Sequence, residues 1–403
     1  MASAKYWVWL AAQERLSVAE KAALLRAYGD PEAVFFAPKG ELSRVEQLRE
    51  SSMEELEKHD LRRANEILGA CEEQGLRIIC QQDSGYPARL KNIYAPPLVL
   101  YAKGKLCELD EEAAIAVIGT RKASPYGLGM ARKLSEGIIR CGGVVLSGLG
   151  SGIDGEAAKA ALAADGLCVG VLGTAHEAAD GWLVREVAKW GLLLSEHAPG
   201  TVSQNHFFRT RNRISSGLSV GVVVVEAPET SGALLFASEA VEQGKDIFSV
   251  PGEVGAPNSV GTIQLIREGA TPVTCGWDVM REFVGRFPDK VRRPQEQTQE
   301  KPLVSRAAET LRKAPEGAGR QEKSVDKASQ QAYIDWKEQL SALSADQLKI
   351  IAAIEKNSSH IDDIVEETGL GAAKVLAQLT VLEIKGIIRR EAGRRIALKI
   401  TKK

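Results

Sequence analysis

AIAVIGTRKASPYG, Ala114 to Gly127, runs from a short apolar strand through a glycine turn to a helix start at Ser124-Pro125, a capping hydroxyl followed by a first-turn proline. Outward along the chain the same device recurs as GGVVLSGLGSGIDG (Gly142 to Gly155) and VGVVVVEAPETSGALL (Val220 to Leu235). From Leu76 to about Phe287 strands alternate with helices, the order required by an α/β, mostly parallel sheet with helices on both faces. Loops of this kind are anion sites, because unpaired amides at a helix start point outward and the helix dipole adds partial positive charge.

In the first loop Gly119 lets the backbone turn close to a ligand, Thr120 offers a hydroxyl, and Arg121 offers a planar cation suited to phosphate oxygens. Two readings stay open there: a phosphate site, or a strand-to-helix turn with a solvated arginine. The second loop carries a dinucleotide fingerprint, Gly150-x-Gly152-x-x-Gly155. An acid for the ribose should follow about 20 residues later. The next strand, Cys168 to Thr174, ends instead in Gly and Thr, and Asp154 and Glu156 already place negative charge at the helix start. No cofactor is therefore expected.

Between the second and third loops lies FFRTRNR, Phe207 to Arg213. Arginines at alternating positions beside two aromatics supply cations for the backbone of an unpaired nucleic-acid strand and ring faces for its bases. Phe207 is expected in the core. The arginines are expected at a ligand, since burying them against few acids, Glu196 and Glu226 among them, would be costly.

With 403 residues, 44% hydrophobic and 26% charged, the chain is long enough for two or three globular domains. A net charge of -1 argues against a wholesale coat of nucleic acid and makes any polyanion site local. No apolar stretch approaches a membrane span, and WVWLAA near the start lacks the basic residues and length of a signal peptide. The six scattered cysteines suggest buried thiols in a reducing compartment, so a cytoplasmic protein without membrane contact is expected. The five histidines have no metal spacing, no Walker A pattern is present, and Ser147 does not sit in a nucleophile elbow, so neither a metal nor a catalytic residue is assigned. Four parts are expected: a helical domain at 1–72, the α/β core at 73–287, a polar, proline-containing linker at 288–340, and a second small domain at 341–403.

Taken in order, YPARLKNIYAPPLVLYAKG (Tyr86 to Gly104), AVIGTR, SGLGSGID, RNRISSGLS, VVVEA, SGALLFASEA and VPG resemble the DNA-processing protein family DprA, also called Smf, along almost the whole chain. The resemblance implies a Rossmann-like core that forms a homodimer, binds and protects single-stranded DNA, and helps load the RecA recombinase during natural transformation in competent cells, with no turnover. It implies DNA contacts at Gly119, Thr120, Arg121, Ser147, Gly148, Gly152, Phe208, Arg211, Asn212 and Arg213, with Phe208 stacking on a base, and Arg209 joins them as a further cation of the same run. Asp154, Glu226, Ser231 and Gly232 match secondary loop positions. Departures from the family pattern include Gly150 for Ala, Ala158 for His, Arg209 for Pro and Phe236 for Thr. The N-terminal part resembles the family's sterile-alpha-motif-like domain, with Trp7 and Trp9 in its core.

Ile361 to Leu398 reads independently as a winged helix-turn-helix, with apolar Val375, Leu376, Leu379 and Leu382 on the second helix and a basic wing at Arg389, Arg390, Arg394 and Arg395. Protein contact and weak DNA binding both stay open for that domain, because its second helix exposes mainly Lys374, Gln378 and Thr380, and the wing is its expected DNA element. The enzyme alternative is a nucleotide-cleaving hydrolase of the lysine-decarboxylase-like Rossmann group, whose glycine loop ETSGALLFASE faintly echoes. The DNA-binding reading expects Arg121→Ala and Arg211→Ala each to weaken binding and leave the fold intact.

Overall fold

Serine, glycine and proline punctuate the N-terminal helices as their capping chemistry requires. In the computed structural model α1 (Ala2–Ala11), α2 (Val18–Tyr28), α3 (Pro31–Phe35), α4 (Lys39–Leu42), α5 (Glu50–Leu56) and α6 (Arg62–Gln74) follow one another. Residues 2–204, 206–294, 345–354, 359–360, 363–364, 368–371, 375, 378–379, 382, 388–391 and 395–398 are described. Ser17 and Glu20 form a capping box at the start of α2: the Ser17 hydroxyl accepts from the Glu20 amide at 3.2 Å and the Glu20 carboxylate accepts from the Ser17 amide at 2.8 Å. Gly29 ends α2 in the left-handed region, and Asp30 caps α3 ahead of Pro31. Trp7 and Trp9 are buried, with Trp9 edge-on to Phe35 at 5.0 Å.

The chain divides into two compact units, Met1–Ala314 and Pro315–Lys403. In the first, the helices give way to β1 (Arg77–Cys80), α7 (Ala88–Lys91), β2 (Val99–Gly104) and β3 (Ala114–Ile118), then α8 (Pro125–Arg140), β4 (Val144–Ser147), α9 (Ile153–Ala163), β5 (Cys168–Leu172), α10 (Trp182–Trp190) and β6 (Leu192–Ser195). There follow α11 (Phe207–Leu218), β7 (Gly221–Val224), α12 (Gly232–Glu242), β8 (Asp246–Ser249), α13 (Val260–Arg267), β9 (Thr271–Pro272) and α14 (Gly276–Met280). The sheet order is β1-β2-β6-β5-β4-β3-β7-β8-β9. From β6 to β9 every pairing is parallel, and β1 and β2 extend the edge antiparallel. β3, β4, β5, β6 and β7 are buried along their whole length, as apolar strands with helices on both faces must be.

One apolar layer packs α8, α9 and α14 on the sheet, and the opposite layer packs α11 and α12. The core of the helical module runs on into Cys80, Val99 and Tyr101 of the edge strands. In the second unit α15 (Ala345–Ile354) accompanies β10 (Ser359–His360), β11 (Ile388–Glu391) and β12 (Arg395–Leu398), ordered β10-β12-β11 around Ile350, Ile364, Val375, Leu379, Leu382 and Ile396. This is the winged-helix arrangement. Most of the expected linker lies outside the described residues.

Candidate functional site

The strand order reverses at β3, which has β4 on one side and β7 on the other. Loops leaving the carboxyl ends of these three neighbours must diverge, and such a switch point leaves a crevice. Here it is a cleft of about 640 Å³. Gly119, Thr120 and Arg121 line it from the first loop, Ser147, Gly148, Gly150 and Asp154 from the second, Ser231 and Gly232 from the third, and Phe208, Arg209, Arg211 and Asn212 from α11.

The three loops brace one another. The Thr120 amide donates to the Glu226 carbonyl at 2.8 Å, and the Ile153 amide to the Thr120 carbonyl at 3.3 Å. The buried Glu226 carboxylate accepts from the Ser124 amide at 2.9 Å, the Ser124 hydroxyl at 2.5 Å and the Asn258 side-chain amide at 3.2 Å. Glu226 thus stands behind the first loop and does not line the cleft. Gly152 is also outside it: at φ 78° it brings α9 close against the Thr120 and Arg121 carbonyls, where a side chain would collide. The Ser147 hydroxyl is buried in this bracing, donating to the Asp154 carbonyl at 2.7 Å and accepting from the Leu149 amide at 3.0 Å.

Phe207–Arg213 opens a helix, which changes how its arginines are disposed. Alternate residues of a strand share a face, whereas alternate residues of a helix stand about 200° apart. Phe208, Asn212 and Ser215 form the helical stripe on the cleft, with Arg209 and Arg211 at its sides. Arg213 points elsewhere and pairs with Glu196 at 2.5 Å. Phe207 is half-buried and stacks on His197 at 3.9 Å between ring centroids. Phe208 is 41% exposed, with its ring edge over Gly173, where an added Cβ would lie 2.9 Å from it.

The cleft arginines differ in setting. Arg121 and Arg209 are exposed, and neither forms an ion pair among the described residues. The Arg211 guanidinium lies against Gly148, where a Cβ would stand 2.5 Å from it, and donates to the Val171 carbonyl at 2.6 Å. Burial pushes Arg211 below its ordinary value against the opposing pull of Asp154. Burial likewise raises the Asp154 carboxyl, while Arg211 and the Gly119 and Gly148 amides hold it down. Asp154 and Glu156 also load the start of α9 with acid, Glu156 pairing with Arg132 at 2.5 Å. The first turn of α12 has no acid, and Ser231 caps it by accepting from the Ala233 amide at 3.2 Å, so its dipole faces the cleft unopposed.

Leu235 and Glu239 of α12, with Ser151, Ser215 and Thr230, also line the cleft without having been singled out in the sequence, and so does Phe236, which the sequence marks only as a departure from the family pattern. The stripes Phe208-Asn212-Ser215 and Gly232-Leu235-Glu239 have helical spacing, and that period was the available signal. Gly150 has open space at its missing Cβ, so the usual Ala would fit there. Among the described residues no group of His, Cys, Asp and Glu could hold a metal, and no helix is long and apolar enough to cross a membrane. On the wing, Arg389 and Arg390 lie in β11 and Arg395 begins β12, while Arg394 is outside the described residues.

Residues 77–284 match the model of the family described as DNA recombination-mediator protein A, and residues 337–394 match that of the DprA winged helix domain. The DNA processing protein DprA of Bacillus subtilis is 41% identical over 224 residues, 55% of this chain and 75% of that one. Protein Smf of Synechocystis is 30% identical over 342 residues, 79% of each chain. The crystal structure of DNA processing protein A from Streptococcus pneumoniae superposes with a TM-score of 0.61 at 30% identity, over 69% of this chain and 97% of that one. With the first family model spanning half of the chain and the curated relatives covered over three quarters of their length, this chain belongs to the DNA recombination-mediator protein A family.

Proposed function

We propose that the cleft binds single-stranded DNA, and that the protein protects an incoming strand and helps load the RecA recombinase on it during natural transformation. The observation that carries this reading is the meeting of exposed Arg121 and Arg209 with exposed Phe208 at one cleft, backed by the acid-free first turn of α12. Cations track a phosphate backbone and a free ring face takes a base, the combination that suits an unpaired strand better than a duplex whose bases are stacked away. The DNA-processing names of the relatives agree with that chemistry. We read the protein as a cytoplasmic homodimer without turnover, organised as 1–72, 73–287, 288–340 and 341–403, with Arg389, Arg390, Arg394 and Arg395 of the wing as further DNA contacts.

A titration at several salt concentrations tests this. Single strands should bind more tightly than duplex of the same length, with affinity falling steeply as salt rises. Equal affinity for both, or release of free base from a nucleotide substrate, would overturn it.

A further inference from the structure

A second cavity, of about 440 Å³, lies where the helical module meets the sheet. Lys21 and Arg26 of α2, Gln81 beyond β1, Lys91 at the end of α7, Glu196 beyond β6 and Arg213 of α11 line it. Four cations thus surround one carboxylate, and that carboxylate is engaged by Arg213 at 2.5 Å. Lys21, Arg26 and Lys91 form no ion pair among the described residues. The Lys21 ammonium is half-buried and donates to the Ala11 carbonyl at 2.7 Å. Burial pulls it down to about 8, against a smaller opposing pull from Glu196 and Glu14.

Gathering unneutralised cations around a concave, partly desolvated surface is unfavourable unless an anion joins them. Lysine ammonium and arginine guanidinium groups supply charge-assisted donors of the kind phosphate oxygens accept. We propose that this cavity is a second anion site, separate from the glycine-loop cleft, that takes a phosphate group. The phosphate has two possible sources: a free phosphate compound, or the backbone of a DNA strand that continues from the cleft across α11, which carries Arg209 at the cleft and Arg213 at the cavity.

The test uses the full chain and two probes, inorganic phosphate and oligothymidylates of about 6 and about 30 nucleotides. Lys91→Gln is the main variant, because Lys91 is exposed and sits over the Tyr86 ring at 5.9 Å without holding the fold. Lys21→Gln is a second variant, and Arg121→Ala is the cleft control. Phosphate should bind the parent and Arg121→Ala alike, and binding to Lys91→Gln should weaken about 3- to 10-fold. If the longer oligonucleotide alone also weakens in Lys91→Gln, the backbone is the source; if no oligonucleotide is affected, a free phosphate compound is. The proposal is overturned if Lys91→Gln matches the parent for both phosphate and the longer strand, or if Arg121→Ala alone abolishes phosphate binding. Loss of all DNA binding in Arg121→Ala with phosphate binding kept would bear on the cleft only.

Discussion

Arg121 and Arg211 face the same cleft, yet their surroundings assign them different work. Arg121 is exposed and forms no ion pair among the described residues, so Arg121→Ala should leave thermal stability within error, lower single-strand affinity about 5- to 10-fold, and reduce the salt slope by about 0.7, the value of one phosphate contact. Arg211 is braced: it donates to Val171 and is the cation nearest in effect to the half-buried Asp154. Arg211→Ala should therefore cost about 1–3 kcal/mol in urea unfolding as well as affinity. The expectation that both substitutions spare the fold does not carry over to Arg211. Phe208→Ala offers a third contrast, with about 1–3 kcal/mol of affinity lost through stacking and an unchanged salt slope. A changed slope with full affinity at low salt would sink the stacking role.

At the scale of elements, α2 is held to the stretch before α5 by Glu20. Its buried carboxylate accepts from Arg49 Nε at 3.1 Å, from the Arg49 amide at 3.0 Å and from the Ser52 hydroxyl at 2.7 Å, besides the Ser17 amide. The Arg49 side chain is the main cause that holds Glu20 well below the usual carboxylate range. A depressed folded value means that its stabilisation is present above the ordinary value of 4.5 and is lost as pH falls below it. Glu20→Gln should flatten the acid limb of a stability curve measured by circular dichroism; an unaltered limb would exclude this contribution. The capping box behind it was open to reading, since Ser17 and Glu20 have the required spacing, as were the helix starts at Asp30-Pro31 and Ser124-Pro125. Those signals are local. The conformation of Phe207–Arg213 was not legible in the same way, because charged residues at a helix start show no apolar period, and alternating positions that would share a face on a strand stand apart on this helix. The pairing of Arg213 with Glu196 and the placing of half-buried Asp154 beside Arg211 depend on which loops the sheet order brings together, information that no short segment holds.

At the scale of the whole molecule, a net charge of -1 coexists with two cation-lined hollows on either side of α11. On the proposed function, long-range attraction of DNA is therefore weak, and binding depends on local contacts that salt screens. The mutual bracing of the three loops through Glu226, Thr120 and Ser147 has a thermodynamic consequence. A receptor whose loops are already fastened loses little conformational freedom when it binds, so most of the ordering falls on the ligand. Single-stranded DNA carries that cost unequally: adenine tracts stack on themselves and must unstack to offer a base to Phe208, whereas thymine tracts arrive nearly free. Oligothymidylate should accordingly outcompete oligoadenylate of equal length, and calorimetry should find the penalty for adenine in an endothermic contribution that grows smaller as the temperature rises and the free strand unstacks.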